Sequence, residues 1–218
     1  MITLYDYELS AECYQVRLLL AVLGREYRLV PVDIHPGEDH RQPAFLDINP
    51  LAEVPVLVDG SVTLTEVQAM LVWLAVTYDG SERWLPRDPA PMAAVMQWLG
   101  LAGRLGASIG VARMALAKTE EVALAPLQAE AHRLLRVIDE HLWFAERRGE
   151  DWLLPLAHPT IGDIACFPCL ALSEEAGISR LAYPAIRRWL DRVRRIAGFT
   201  VMSGVFPASP AKNNGASF

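Results

Sequence analysis

Ser10 and Cys13 form an S-x-x-C pair between a short apolar run that reads as a strand and an amphipathic run that reads as a helix. The start of a helix offers unpaired N–H groups and a field that favours an anion, so a thiolate there would be stabilised. With serine leading, the pair cannot close a disulfide of its own. The hydroxyl can instead donate a hydrogen bond to a thiolate supplied from outside. Serine is also a preferred helix cap, and a plain cap is the competing reading of Ser10. Thr65-Glu66 opens another helical run. Its first N–H groups and the Glu66 carboxylate could together hold the zwitterionic amino-acid end of a ligand, or Glu66 could simply complement the helix dipole. Val54-Pro55 precedes a strand, where a cis bond would leave the backbone groups of Val54 facing outward; the residues alone do not fix the isomer.

Cys166-Phe167-Pro168-Cys169 has C-x-x-C spacing but lies inside an apolar helical run without a second ligand pair, whereas structural zinc takes four ligands. Buried structural cysteines are the expectation. The five histidines, His35, His40 and His158 among them, show no metal spacing, and the acidic residues read as solvated charge. No metal is expected.

The elements that must position these groups follow from periodicity. Ile2 to Tyr5 reads as a strand, and Cys13, Val16, Leu20 and Leu23 recur at helical spacing between a Ser10 cap and Gly24. Tyr27 to Ile34 reads as a second, parallel strand. A short helix over Pro43 to Ile48 follows, then a strand in VPVLVDG turning at Asp59-Gly60, a return strand Val62 to Leu64, and a helix from Glu66 to Asp79 with Val67, Met70, Leu71, Leu74 and Tyr78 on one face. The order βαβ, then α, β, β, α, is that of a thioredoxin-like domain.

After Gly80 a segment with Pro86, Pro89 and Pro91 leads into long helical runs without a convincing strand. The reading is a thioredoxin-like α/β domain over 1–79, a linker over 80–89, an all-α helical bundle over 90–202 and an irregular tail over 203–218. Two helices, Ala90 to Lys118 and Glu121 to Arg147, are expected to pair antiparallel, the first weakened by glycines at 100, 103, 106 and 110. In PTIGDIACFPCLAL, Thr160 and Asp163 have capping-box spacing, with Pro159 and Ile164 placed as a staple. That helix should be central and buried, with Pro168 bending or ending it. A last helix runs from Pro184 to about Ile196.

A length of 218 residues suits two domains, and 52% hydrophobic with 21% charged residues is the composition of an ordered globular protein. A net charge of −6 argues against nucleic-acid binding through phosphates. With three cysteines, no leader-like start and no apolar stretch approaching the length that spans a bilayer, the expectation is a cytoplasmic protein without a membrane segment.

LYDYELSAECYQVRLLL, then FLDINPLAEVPVLVDGSVTLTE, then HPTIGDIACFP resemble a bacterial glutathione transferase in order and spacing, over nearly the whole chain. The resemblance implies glutathione as co-substrate, Ser10 as the thiol-activating residue, a backbone pairing of Val54 with the cysteinyl part of glutathione, and a cis Pro55. It implies further that Glu66 takes the γ-glutamyl amine and that His40 approaches the glycyl end. Tyr5 is the rival for Ser10, since other branches of the family use a tyrosine near the end of the first strand. Two positions depart from the family pattern. Val67 replaces a serine that would donate to the γ-glutamyl carboxylate, and Glu53 stands where glutamine or lysine commonly precedes the Val-Pro pair.

The implied activity is transfer of the glutathione thiolate to a small hydrophobic electrophile. The electrophile should lie between the domains against the first long helix, near Gly103, Gly106, Ala107, Gly110 and Arg113; a homodimer is also implied. A noncatalytic binding module with a weakened glutathione site is the alternative, supported by Val67 and Glu53. A thiol-disulfide enzyme working through Cys13 is a third reading.

Overall fold

The computed structural model describes residues 1–118 and 121–202. Strand β1 (Ile2–Asp6) is followed by α1 (Ala11–Val22), β2 (Tyr27–Pro31), a 3-10 turn at Asp39–Arg41 and α2 (Pro43–Leu46). Then come β3 (Val56–Asp59), β4 (Val62–Leu64) and α3 (Val67–Tyr78). The sheet order is β2-β1-β3-β4, with β1 and β2 parallel and the other pairs antiparallel. This is the thioredoxin-like arrangement read from the sequence.

β2 stops at Pro31 rather than Ile34 because its partner runs out: β1 ends at Asp6, whose carbonyl accepts the N–H of Val32 at 2.8 Å. Beyond it the chain turns through a cis His35–Pro36 bond. The β3–β4 hairpin turns at Gly60, in the left-handed region at φ 61°, which only glycine adopts without steric penalty. Asp59 then ties the hairpin to α3, accepting from Trp73 Nε1 at 3.0 Å and the Tyr78 hydroxyl at 2.6 Å.

The second domain is helical. α4 (Pro89–Leu105) passes through a π-helical segment, Gly106–Gly110, into α5 (Val111–Lys118), and α6 (Leu124–Arg147), α7 (Ile161–Ala171), a 3-10 turn at Ser173–Ala176 and α8 (Pro184–Val193) follow. α4 begins at Pro89, the last position assigned to the linker; proline suits the first helical position because its missing N–H would be unpaired there anyway. The expected helix over Ala90 to Lys118 is continuous but carries the π turn where its glycines cluster. α6 starts at Leu124, and α8 ends at Val193, short of Ile196. The expected tail over 203–218 lies outside the described residues.

α7 is the central beam. Every one of its residues is buried, and it packs against α1, α3, α4 and α8. Pro168 does not end it: the helix continues to Ala171, and Leu172 N–H still finds the Pro168 carbonyl at 2.9 Å. The capping box is present as expected. Thr160 N–H donates to Asp163 Oδ2 at 2.9 Å, and Gly162 N–H to Thr160 Oγ1 at 3.2 Å. A Cβ on Gly162 would stand 3.0 Å from Trp98 Cβ, so glycine is what lets α4 come this close to α7. The main apolar cluster crosses the domain boundary, joining Tyr14 and Leu19 of α1 to Phe167 and Leu170 of α7. The helical stretch Pro89–Lys118 has the length and mean hydropathy of a membrane-crossing helix, which the sequence reading missed. Here it is a bundle helix with one side on α7.

Candidate active site

A cleft of about 480 Å³ opens between the two domains. One wall belongs to the first domain: Tyr7 and Ser10 before α1, Val54 and Pro55 before β3, and Thr65 and Glu66 before α3. The other is mostly apolar and belongs to the helical domain: Gly106, Gly110, Val111, Met114 and Ala115. Ser10 caps α1, and its Oγ accepts the Cys13 N–H at 3.1 Å. A hydroxyl has one proton and two lone pairs, so capping leaves the proton free to be donated. The cap and thiolate-donor readings of Ser10 are therefore compatible. The Val54–Pro55 bond is cis. Glu66 is the N-cap residue of α3, its side chain makes no cap hydrogen bond, and the first turn of the helix begins at the cleft.

Comparison with known proteins agrees with this geometry. Residues 4–82 match the family model for the glutathione S-transferase N-terminal domain. The disulfide-bond oxidoreductase YfcG of Escherichia coli is 30% identical over 196 residues, 83% of this chain and 85% of that protein. A possible glutathione S-transferase from Rhodopseudomonas palustris superposes with a TM-score of 0.79 at 30% identity, over 96% of this chain and 99% of the other. A glutathione S-transferase from Pseudomonas fluorescens gives 0.81 at 29% identity, over 92% and 98%. The chain belongs to the glutathione S-transferase family.

In this glutathione S-transferase family member the first-domain wall of the cleft carries three carboxylates. Glu12, Glu53 and Glu66 all line the cleft. Glu12, in the first turn of α1, reaches across to the helical domain, where its Oε1 lies 3.3 Å from the place a Cβ on Gly106 would take. Glu12 keeps an exposed flank, yet crowding between the domains, and then the charges of Glu53 and Glu66, push its pKa above the usual carboxylate value. It escaped the sequence reading because a glutamate in a first helical turn normally just complements the dipole.

Val67 lines the cleft and supplies no hydroxyl, but the next residue, Gln68, lines it too, and a glutamine amide carries two N–H donors. His40 is also at the cleft, with Nδ1 buried and unpaired; desolvation first, then the nearby Arg41, lowers its pKa. Two residues expected at the electrophile side, Gly103 and Ala107, are not part of the lining. Gly103 faces the Gln68 amide of α3, and Ala107 is exposed, one step round the helix from Gly106. Gly110 lines the cleft as expected.

Arg113 lines the cleft but is already engaged: its Nε donates to Glu175 Oε2 at 2.6 Å and its terminal nitrogen to the Leu9 carbonyl. Tyr5, the rival for Ser10, points to the other face of the sheet and packs edge-on against Phe45 with ring centres 6.1 Å apart. Tyr7, which sequence reasoning passed over, is the tyrosine at the cleft. Cys13 is fully buried, its sulfur accepting the Tyr7 N–H at 3.3 Å. Burial, with the charge of Asp6 beneath it, pushes the Cys13 thiol up to about 12. Cys166 and Cys169 are free, buried thiols within α7.

Proposed function

We propose that the cleft binds glutathione with its thiol at Ser10, and that the protein transfers the resulting thiolate to a small electrophile seated against Gly106, Gly110 and Met114. The observation that carries this reading is the Ser10 hydroxyl, which caps α1 through a lone pair and keeps its proton for an anion at the mouth of an interdomain cleft. A free thiol has a pKa of about 8.5, and lowering it by about two units takes roughly 2.7 kcal/mol of preferential thiolate stabilisation. A hydrogen bond to an anion supplies about 1.5 to 3 kcal/mol and a helix N-terminus about 0.3 to 1. One serine at a helix start is enough.

Ser10→Ala should raise the pKa of bound glutathione while leaving binding nearly intact, as read from thiolate absorbance of the complex against pH. An unchanged titration would remove Ser10 from the reaction and bring Tyr7 forward. By resemblance to the family, the working form is taken to be a cytoplasmic homodimer.

The relative named as a disulfide-bond oxidoreductase favours a second reading with the same nucleophile. The glutathione thiolate would attack a disulfide sulfur, forming a mixed disulfide and releasing the other sulfur as a thiolate; a second glutathione thiolate would then release the remaining thiol and leave oxidised glutathione. Cys13 has no part in this, since its sulfur is buried and its thiol holds its proton. Parallel assays with a halogenated aromatic electrophile and a small disulfide separate the two readings. Failure of glutathione to bind at all would favour the noncatalytic module.

A further inference from the structure

We propose that Arg113, on the helical domain, is a positioning residue for Ser10: it fixes the Leu9–Ser10 peptide from across the domain boundary, so the thiol site of the first domain is complete only with the second docked on it. This rests on the reading of Ser10 given above.

The segment before α1 is a turn whose carbonyls are each held by a different group. The Tyr7 carbonyl accepts the Ser10 N–H at 2.9 Å, and the Glu8 carbonyl accepts from Arg17 at 3.0 Å. The Leu9 carbonyl accepts from Arg113, 104 residues further along the chain. The Leu9 C=O and the Ser10 N–H belong to one planar peptide. That plane is therefore gripped at both ends, by its own turn on one side and by the other domain on the opposite side. Turning it would change the torsions on either side, ψ of Leu9 and φ of Ser10, and with them the direction in which the Ser10 side chain leaves the backbone towards the cleft. Arg113 is itself held in place: its side chain is only 8% exposed, and Glu175, from the 3-10 turn after α7, takes its Nε. A planar guanidinium can serve two partners in different directions at once, which a lysine ammonium does less well. Pure packing would be served as well by an apolar side chain of similar length.

The test compares Arg113→Met, Arg113→Lys and Glu175→Gln with the parent. Arg113→Met should raise the pKa of bound glutathione by about one unit, a tenfold loss of thiolate below that pKa. It should lower kcat about ten- to a hundredfold, as expected when a catalytic group is misplaced by a fraction of an ångström to an ångström, with KM for glutathione changed less than about threefold. Arg113→Lys should recover part of the loss, and Glu175→Gln should give a smaller shift in the same direction. Amide hydrogen exchange should quicken in residues 7–14 and not elsewhere in the first domain. A folded Arg113→Met protein with the parent's titration curve and the parent's exchange over 7–14 overturns the proposal. If the parent itself never binds glutathione, the Ser10 reading falls, and the exchange pattern alone decides the positioning role. If Arg113→Met does not fold, Arg113→Lys and Glu175→Gln carry the same measurements.

Discussion

Glutathione's two carboxylates would meet unequal partners in this cleft. At the γ-glutamyl end Val67 would withhold a hydroxyl, while Gln68 lines the same cleft with its amide nitrogen set towards Gly103. Glu53 also lines the cleft, and beside the glycyl end it would add a negative charge. Val67→Ser should strengthen glutathione binding by up to about 1.5 to 3 kcal/mol if the carboxylate lacks a side-chain donor, and by much less if Gln68 already serves it. Gln68→Ala in both backgrounds separates the cases: calorimetry should show a larger loss in the parent than in Val67→Ser if Gln68 is the substitute donor. Glu53→Gln should give a gain that shrinks as salt rises, because charge near the surface is screened over about 8 to 10 Å. Equal affinities in low and high salt would mean that Glu53 turns away from the ligand.

The thiols are also decided residue by residue. Cys13, Cys166 and Cys169 are all buried, and burial pushes Cys13 and Cys169 up to about 12 each. Since the thiolate is the reacting form, a thiol reagent at neutral pH should modify the native protein only at the rate of its unfolding. Rapid modification of Cys13 in the folded state would revive a redox role for it.

Among the elements, α7 has the clearest demand on a single side chain. Asp163 Oδ1 accepts from the Leu153 N–H at 3.1 Å and from Trp189 Nε1 at 3.0 Å, while Oδ2 accepts from the Thr160 N–H. A capping box alone is worth about 0.5 to 2 kcal/mol. Asp163→Ala would in addition leave buried donors without acceptors, each at about 1 to 3 kcal/mol, so denaturant unfolding should show a loss of about 3 kcal/mol or more. A loss below about 1 kcal/mol would mean that water replaces the carboxylate.

The sequence carried the capping box because the motif is local: a threonine, a carboxylate three residues on and an apolar run fix it without knowledge of the fold. The positions of Ser10, Val54, Pro55 and Glu66 at the cleft are legible for a related reason, since each stands where a helix or strand begins, whereas the cis Val54–Pro55 bond is legible only through the family resemblance, because the residues alone do not fix the isomer. Glu12, Gln68 and Tyr7 are not legible, because what brings them to the cleft is the docking of the helical domain, a contact between distant parts of the chain. The π turn at Gly106–Gly110 is equally hidden: glycine spacing signals a weak helix without saying how the turns are redistributed.

At the scale of the whole molecule, docking the domains brings like charge together along one cleft. Glu12 reaches from the first domain to Gly106 of the second, and Glu53 and Glu66 share its cleft, so its carboxyl holds a proton to higher pH than an ordinary glutamate. A carboxyl raised on folding contributes stability that is fully present below its ordinary pKa and is lost as pH rises through the raised value. Glu12→Gln should therefore stabilise the protein at neutral pH relative to the parent and make little difference in acid. The same linkage acts on the ligand. Bound glutathione would bring two carboxylates next to this wall and raise the pKa of Glu12 further, so binding should draw a proton onto the protein. S-methylglutathione isolates this effect, because it has no thiol proton to release. Its affinity should rise as pH falls towards the raised pKa of Glu12, and calorimetry in buffers of different ionisation enthalpy should register proton uptake. Glu12→Gln should abolish most of that uptake and flatten the pH dependence. If the variant takes up as many protons as the parent, the titrating group lies elsewhere on the wall, and Glu53→Gln and Glu66→Gln would find it.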